Sequence, residues 1–387
     1  MDGSDRLSVK VVERLSKIRA ADWDECAGSD NPFVTHAFLD ALEESNSACA
    51  ETGWLPQHLA LEDGNGNLLG AAPMYLKSHS YGEYVFDHGW AEAYERAGGR
   101  YYPKLQVAVP FTPVTGNRLL IRPGAPADAA RLLAAAMVEI AKRSKVSSLH
   151  VTFPTRAEYD LFAEAGFLQR LGRQFHWENQ DYKSFDDFLG ALNARKRKQI
   201  KRERREANDG IEIETLNGAA IKARHWDAFF RFYTSTSDKK WGAAYLTREF
   251  FDLLGQRMGE RVVLVMAKQN GRYVAGALNL MGGDTLYGRN WGCLSEVPFL
   301  HFEACYYRAI DFAIARGLKR VEAGAQGSHK IQRGYLPAPI YSAHWIRDPG
   351  FAKAVEDFLK RERRAVEHEM EELEEVLSPF KRAEDGP

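Results

Sequence analysis

The stretch between residues 261 and 344 constrains this chain more than any other part of it. Apolar runs at 262–268 and 273–281 flank Asn270-Gly271, a dipeptide suited to the positive backbone angles of a tight hairpin turn. A third run, 285–291, ends in Tyr287, Arg289, Asn290 and Trp291. An amphipathic helix is expected over 298–316 and a short strand over 320–324, opening into Ala325-Gln326-Gly327-Ser328-His329-Lys330. Polar groups therefore gather where strands end, which is where an α/β sheet places its ligand.

The same order of elements is expected earlier in the chain. Strands are read at 9–15, 57–62, 68–76, 105–109, 118–121, 148–153 and 167–177, and helices at 32–44, 127–144 and 157–164. Residues 77–104 form a long polar and aromatic excursion containing Phe86-Asp87-His88-Gly89-Trp90. Helices at 185–207, 225–236 and 248–258 and a strand at 211–216 precede the hairpin, and 341–346 is expected to close the second unit. The parallel order predicts an α/β (α+β) chain with two copies of one fold, each a central mixed β-sheet flanked by helices. The expected boundaries are 1–180 and 181–348, a helix over 349–378 and a flexible tail at 379–387. Leu359, Val366 and Leu373 recur every seven residues on that last helix, which leaves open a helix packed on its own chain and a homodimer.

At 387 residues the chain suits two domains of about 150 residues each. No apolar run reaches the ~18 residues of a membrane span, and no signal-peptide pattern opens the sequence. Cys26, Cys49, Cys293 and Cys305 are widely separated and form no CxxC pair, so neither a metal site nor a disulfide framework is expected, and a reducing, cytoplasmic setting is. Net charge is −1, yet residues 193–205 hold eight basic residues against the single acid Glu203. That imbalance predicts either an anionic partner or an intramolecular match to acids elsewhere, the acidic stretch 367–375 among them.

Three sets of residues carry a family likeness. Tyr159-Asp160-Leu161-Phe162-Ala163-Glu164-Ala165-Gly166-Phe167 resembles the helix-to-strand turn near the end of GNAT acyltransferase domains. The basic run from Arg195 to Arg202 followed by Gly210-Ile211-Glu212-Ile213 resembles the join between the halves of FemAB-type proteins. Val109-Pro110-Phe111-Thr112-Pro113, Tyr287-Gly288-Arg289-Asn290-Trp291-Gly292 and Glu322 through Lys330 resemble the FemAB-like peptidoglycan biosynthesis or recognition family. The resemblance spans nearly the whole chain and implies tandem GNAT-like domains. It also implies transfer of an acyl or aminoacyl group to an amine acceptor, a peptidoglycan-type precursor among the candidates. No tightly bound cofactor is implied, with acyl-CoA or aminoacyl-tRNA as co-substrate. The glycine pattern of the GNAT pyrophosphate loop is missing from its nearest counterparts, 118–127 and 289–298, so the donor stays open between the two.

Acyl transfer to an amine needs a hydrogen-bond donor where negative charge develops, a base for the amine proton and close placement of the reactants. Glu322, Gln326, His329 and Glu303 are the candidate catalytic residues, with His329 or Glu322 as base. Lys330 and Arg333 would neutralise an anionic part of donor or acceptor, while Gly324 and Gly327 allow close backbone approach. The competing reading is a polar loop whose Ser328 caps the next helix. Arg289, Asn290 and Trp291 are candidates to line an acyl or peptide pocket, and Glu303, on a largely apolar helix face, is expected to pair with Arg289 or to line the cleft. Asp87, His88 and Trp90 are expected to cover a cleft between the domains, and Tyr233, Lys239, Lys240 and Trp241 are set as an anion site against a solvated lysine pair. Two rival functions remain in view: a non-catalytic recognition protein for peptidoglycan-type peptides, and a tRNA or nucleic-acid adaptor using the basic helix.

Overall fold

A computed structural model describes residues 7–241, 244–325 and 327–381, with the backbone alone over 237–241. The chain forms two compact units, Met1–Gly172 with Ile340–Val366, and Arg173–Pro339 with Glu367–Pro387. The first contains, in chain order, β1 (Ser8–Val12), α1 (Ala20–Ala27), α2 (His36–Glu44), β2 (Trp54–Pro56), β3 (His58–Glu62), β4 (Leu68–Ala72), β5 (Met74–Lys77) and α3 (His88–Arg96). It continues with β6 (Lys104–Val107), β7 (Leu120–Ile121), α4 (Ala129–Arg143), β8 (Ser148–Thr152), α5 (Arg156–Glu164) and the start of β9 (Leu168–Glu178). The second unit adds α6 (Phe185–Ala191), α7 (Ala194–Ala207), β10 (Ile211–Asn217), α8 (Ala223–Trp241), α9 (Arg248–Met258), β11 (Val262–Gln269), β12 (Arg272–Gly282) and β13 (Thr285–Cys293). A helix made of α10 (Leu300–Phe302), a π turn (Glu303–Tyr307) and α11 (Arg308–Arg316) leads to β14 (Arg320–Glu322). β15 (Leu336–Ile346) and α12 (Pro349–Leu377) complete the chain.

The division differs from the expected break at 180, because it falls inside β9 and again inside β15 and α12. Residues 341–346 do not close the second unit: Ser342 to Ile346 pair antiparallel with β8 of the first. Nothing in a continuous strand pattern marks such a crossing, since the residues alternate in the same way on both sides of it.

In the first unit β1, β3, β4 and β7 form one antiparallel sheet, and β2, β5, β6, β8 and β15 follow one another in a second. Only β6 and β8 run parallel there, joined through α4. Leu133, Ala134, Met137 and Ala141 make the apolar stripe of α4 and bury against Leu105, Val107, Leu149 and Val151. The second unit repeats the plan with the order β10, β11, β12, β13, β14, β9, in which only β13 and β14 run parallel. Its β11–β12 turn is Asn270-Gly271, both at positive φ (51° and 72°), as a two-residue hairpin requires.

Two expected helices are interrupted. The 185–207 helix breaks at Leu192, and Asn193 starts α7 afresh by accepting the Lys196 amide at 3.0 Å. The 298–316 helix begins only after Phe299, held at φ 59°, and widens into the π turn at 303–307. The basic α7 is matched inside its own unit. Glu203 is buried and receives Arg333 at 2.8 and 3.1 Å, Gln199 at 2.8 Å and the Tyr307 hydroxyl. Arg204 reaches Glu303 at 3.1 Å and Asp311 at 2.6 Å. The acids of α12 meet β9 instead, Glu362 taking Arg170 at 2.7 and 2.8 Å and Glu369 taking Arg173.

Removing one partner of a buried ion pair strands the other. Glu203→Ala should therefore lower the unfolding free energy by about 3–5 kcal/mol in a denaturant titration, and a loss below about 1 kcal/mol would contradict this account of α7.

Candidate active site

The site is set by a short ladder. β13 and β14 pair over Thr285↔Arg320, Leu286↔Val321 and Tyr287↔Glu322, and there β14 stops while β13 runs on to Cys293. At the same place β13 carries a bulge. Leu278 pairs with Asn290 and Asn279 with Gly288, which leaves Arg289 as the extra residue. Bulges of this kind re-aim a side chain beside a site. Gly288 suits this close approach, because a Cβ would stand 3.0 Å from the Glu322 carbonyl oxygen and would press on that backbone. Past Glu322 the chain turns through Gly324 (φ 74°) and Gly327 (φ 92°) into a 3-10 turn, Ser328–Arg333, ended by Gly334 (φ 90°). The parallel strands thus part at Tyr287 and Glu322, with a polar loop on one side and the end of β13 on the other.

Glu322 is the buried acid of this opening. Its Oε2 has no hydrogen-bond partner, and His176 of β9, directly opposite in register, holds Nε2 3.8 Å away. Burial pushes the Glu322 carboxyl up to about 7, against the pull of Arg320 and Arg289. Burial drives His176 down to about 3, so its imidazole is neutral near pH 7. Tyr287 sits beside Glu322 in register, and burial together with that carboxylate raises its hydroxyl well above the ordinary tyrosine range.

The expected loop residues divide by role. Lys330 is buried and donates to the carbonyls of Ala323 (2.5 Å) and Gly324 (3.1 Å), so it shapes the turn; burial lowers its ammonium to about 8. Arg333 is committed to Glu203, lies 3.5 Å over the Phe302 ring and donates to the His329 carbonyl at 2.7 Å, which corrects its reading as a contact to donor or acceptor. His329 Nε2 bonds the Tyr306 hydroxyl at 3.1 Å, and burial, reinforced by Arg333 and Lys330, lowers its pKa. Trp291 joins the same neighbourhood through His301, at 5.3 Å between rings, which in turn lies 5.4 Å from Tyr306 and 6.3 Å from His329. Asn290 is half-buried on β13 opposite Leu278. Ser328 is exposed and caps nothing, since the cap position belongs to Gly327. Gln326 lies outside the described residues.

Other expected residues are placed elsewhere. Glu303 does not pair with Arg289: it is fully buried between Arg204 and Arg308 (2.8 Å), on the side of α7. An acid on an apolar helix face needs a cation, and Glu303 has two: Arg308, five residues along the same helix, and Arg204, 99 residues away, which local pattern could not name. Asp87 and Trp90 are buried in the first unit, where Asp87 pairs with Lys104 and accepts from Tyr101 at 2.7 Å; His88 is exposed on the first turn of α3. The Tyr233 hydroxyl oxygen accepts the amides of Tyr245 and Leu246 at 3.0 Å, and the side chains of Lys239, Lys240 and Trp241 lie outside the described residues. His176, His301 and Tyr306 were missed by the sequence reading, and Tyr287, named there in the cluster that ends the 285–291 run, was given no role. His176 was recoverable as a polar residue on a strand, whereas the π turn that sets Tyr306 leaves no local signal.

A carboxyl raised from its unfolded value of 4.5 to about 7 favours the protonated form in the fold, so its contribution to stability is present at low pH and is lost as pH rises through 7. Glu322→Gln, a permanent mimic of the protonated acid, should match the parent at pH 4.5 and exceed it by up to about 3 kcal/mol at pH 8. Denaturation at the two pH values checks this, and equal stability at both would contradict the burial assigned to Glu322.

Comparison with known proteins agrees with this architecture. No curated protein sequence matches the chain. FemX, a solved structure, superposes with a TM-score of 0.54 at 12% identity, covering 88% of this chain and 98% of its own. The C-terminal domain of a putative lysylphosphatidylglycerol synthetase from Agrobacterium fabrum gives 0.54 at 10% identity, covering 88% and 95%. Both show the fold and, at such identities, the fold alone. A family model described as peptidoglycan biosynthesis/recognition matches residues 14–382, and the chain therefore belongs to the FemAB-like family.

Proposed function

We propose that the chain is an N-acyl- or aminoacyltransferase whose reaction centre is the opening between β13 and β14, with Glu322 as general base. The observation that carries this reading is a buried carboxyl, one oxygen unpartnered and its pKa near neutrality, at the point where two parallel strands separate. The amine nitrogen of the acceptor attacks the donor carbonyl carbon, Glu322 takes the amine proton directly or through water, and the new C–N bond replaces the bond to the leaving group. That group departs with its electron pair and takes up the proton that Glu322 removed from the amine, leaving as the thiol of an acyl-CoA or the hydroxyl of an aminoacyl-tRNA and returning Glu322 to its ionised form. Tyr287, held protonated beside Glu322, supplies a proton donor for the developing charge, and His329 on Tyr306 presents a neutral imidazole at the rim. The family description favours a peptidoglycan-type amine acceptor over other amines, in a cytoplasmic reaction.

A second observation favours aminoacyl-tRNA as donor, and equally the rival of a nucleic-acid adaptor. α7 keeps Arg195, Lys198, Lys201, Arg202 and Arg205 exposed while it buries Glu203. Phosphate contacts by such cations release counterions and weaken steeply with salt. Filter binding to tRNA should fall as salt rises, and absence of binding at low ionic strength removes this donor.

The general base must be ionised to act, so turnover should rise with pH through about 7. Glu322→Gln should lose about 10²–10⁴-fold in kcat/KM with the fold intact. Thermal-shift titration with acetyl-CoA, longer acyl-CoAs, charged tRNA and nucleotide-linked muropeptides selects the donor and acceptor for that assay. Turnover within threefold of the parent in Glu322→Gln would overturn the assignment, and ligand binding without turnover would favour a recognition protein.

A further inference from the structure

The polar row of the second unit has a counterpart in the first. In the second unit Tyr287, Glu322 and His176 stand side by side across β13, β14 and β9. In the first, Gln106, His150 and His344 stand side by side across β6, β8 and β15. Each row joins a parallel pair to an antiparallel one, and in each the second strand follows a crossover helix. The strand face opposite α4 in the first unit carries Lys77, Lys104, Gln106, Ser148, His150, Thr152, Ser342 and His344, all buried. A sheet with one face on a core shows its other, polar face to water or covers it with apolar groups. The second unit does the latter, with Phe229 and Phe232 of α8 against Gly276 and Gly292. The first unit covers its polar face with residues 78–103, which lay Trp90 4.9 Å from the His344 ring but also bring polar groups of their own, Ser80, Glu83 and Asp87.

These groups form one network. His344 Nδ1 and His150 Nδ1 are 2.7 Å apart, and His150 Nε2 lies 2.8 Å from Ser148 Oγ and 3.3 Å from the Tyr101 hydroxyl, which donates to Asp87. Lys104 Nζ donates to Ser80 and Glu83, each at 2.8 Å, and to Asp87. Lys77 Nζ stands 3.9 Å from Glu83 and 3.6 Å over the Trp54 ring. Two amines thus face two carboxyl groups, burial bringing Lys77 down and Glu83 up to about 7 each, and burial keeps His150 and His344 uncharged, so the layer balances its own charge. Burying such groups charged costs several kcal/mol per ion, and apolar side chains of similar size would hold the fold as well. Three acceptors nevertheless have no hydrogen-bond partner in the protein, Glu83 Oε1, Asp87 Oδ1 and the Oε1 of Gln106, and neither do the Trp54 indole N–H and the hydroxyl of Tyr75, the residue opposite Gln106 in register. Charge balance disfavours an ionic guest, and unmet acceptors beside unmet donors call for a guest whose groups both donate and accept, as hydroxyls do.

We infer that the roofed polar face of the first unit is a second binding site, built on the strands equivalent to those of the Glu322 row, for a neutral, hydroxyl-rich small molecule held by Gln106, Glu83 and Asp87. The inference stands apart from the transfer reaction, since it uses none of the residues of the second unit. A charge series on one ring tests it: glucose, glucosamine and glucuronate at 10 mM, below the range where sugars stabilise proteins generally. Thermal shift of the full chain should respond to glucose, with apparent affinity at least tenfold better than for either charged sugar. Crystals soaked in glucose should show its hydroxyls on the three oxygens. Gln106→Leu replaces an unmet acceptor by an apolar group and should fold, but lose the glucose shift, whereas Glu322→Gln should keep it. No shift with glucose, equal shifts with all three sugars, a shift surviving in Gln106→Leu, or water alone on the three oxygens would each overturn the inference. The wild-type comparison decides the matter even if Gln106→Leu does not fold.

Discussion

β14 meets β13 over three residue pairs, and the chemistry available to the second unit depends on that brevity. A longer ladder would carry the parallel pair past Tyr287 and Glu322 and bury both between hydrogen-bonded strands. Because β14 stops at Glu322, the carboxyl is left at the end of the strand with one oxygen unmet, and the following residues turn through two positive-φ glycines rather than extend. The bulge at Arg289 and the glycine at 288 belong to the same constraint: one supplies an extra residue on the continuing strand, the other lets it pass the Glu322 carbonyl. Lys330 then fixes the turn by holding the Ala323 and Gly324 carbonyls.

A second set of interactions holds this opening in place. Glu203 on α7 anchors Arg333, Arg333 holds the His329 carbonyl, and the π turn sets Tyr306 against the His329 ring. The basic helix therefore does two jobs on two faces. Its inward Glu203 and Arg204 tie the 3-10 turn and the crossover helix together, while Arg195, Lys198 and Arg202 stay exposed.

Much of the architecture was legible because it is written in local patterns. The Asn270-Gly271 hairpin, the stripe of α4 and the strand-helix-strand order around 285–322 each follow from residue periodicity or from one turn dipeptide. What escaped was decided by distant partners. Glu303 looked like a cleft residue because one of its two cations, Arg204, is far away in sequence. Asp87 beside His88 looked like part of a cover over a cleft because its cation, Lys104, sits on a strand that reads as half-exposed. The passage of β15 into the first unit is equally silent, since a strand does not encode which sheet it joins. In the candidate site Glu322, His329 and Lys330 could be named from sequence, but their order of importance comes from partners: Lys330 and His329 are bonded, and Glu322 keeps one oxygen unpartnered.

Both units place a titratable row across the strand that follows a crossover helix, one where a short parallel ladder ends and one roofed by residues 78–103. The ionisation of one carboxyl, Glu322, decides what the first of these rows can do. Titrating the side-chain carboxyl carbons of ¹³C-labelled protein by NMR, with Glu322 assigned from its absence in Glu322→Gln, measures that directly. A midpoint near 7 is the predicted result; a midpoint near the ordinary glutamate value of about 4.3 would contradict a buried base at the parting of β13 and β14.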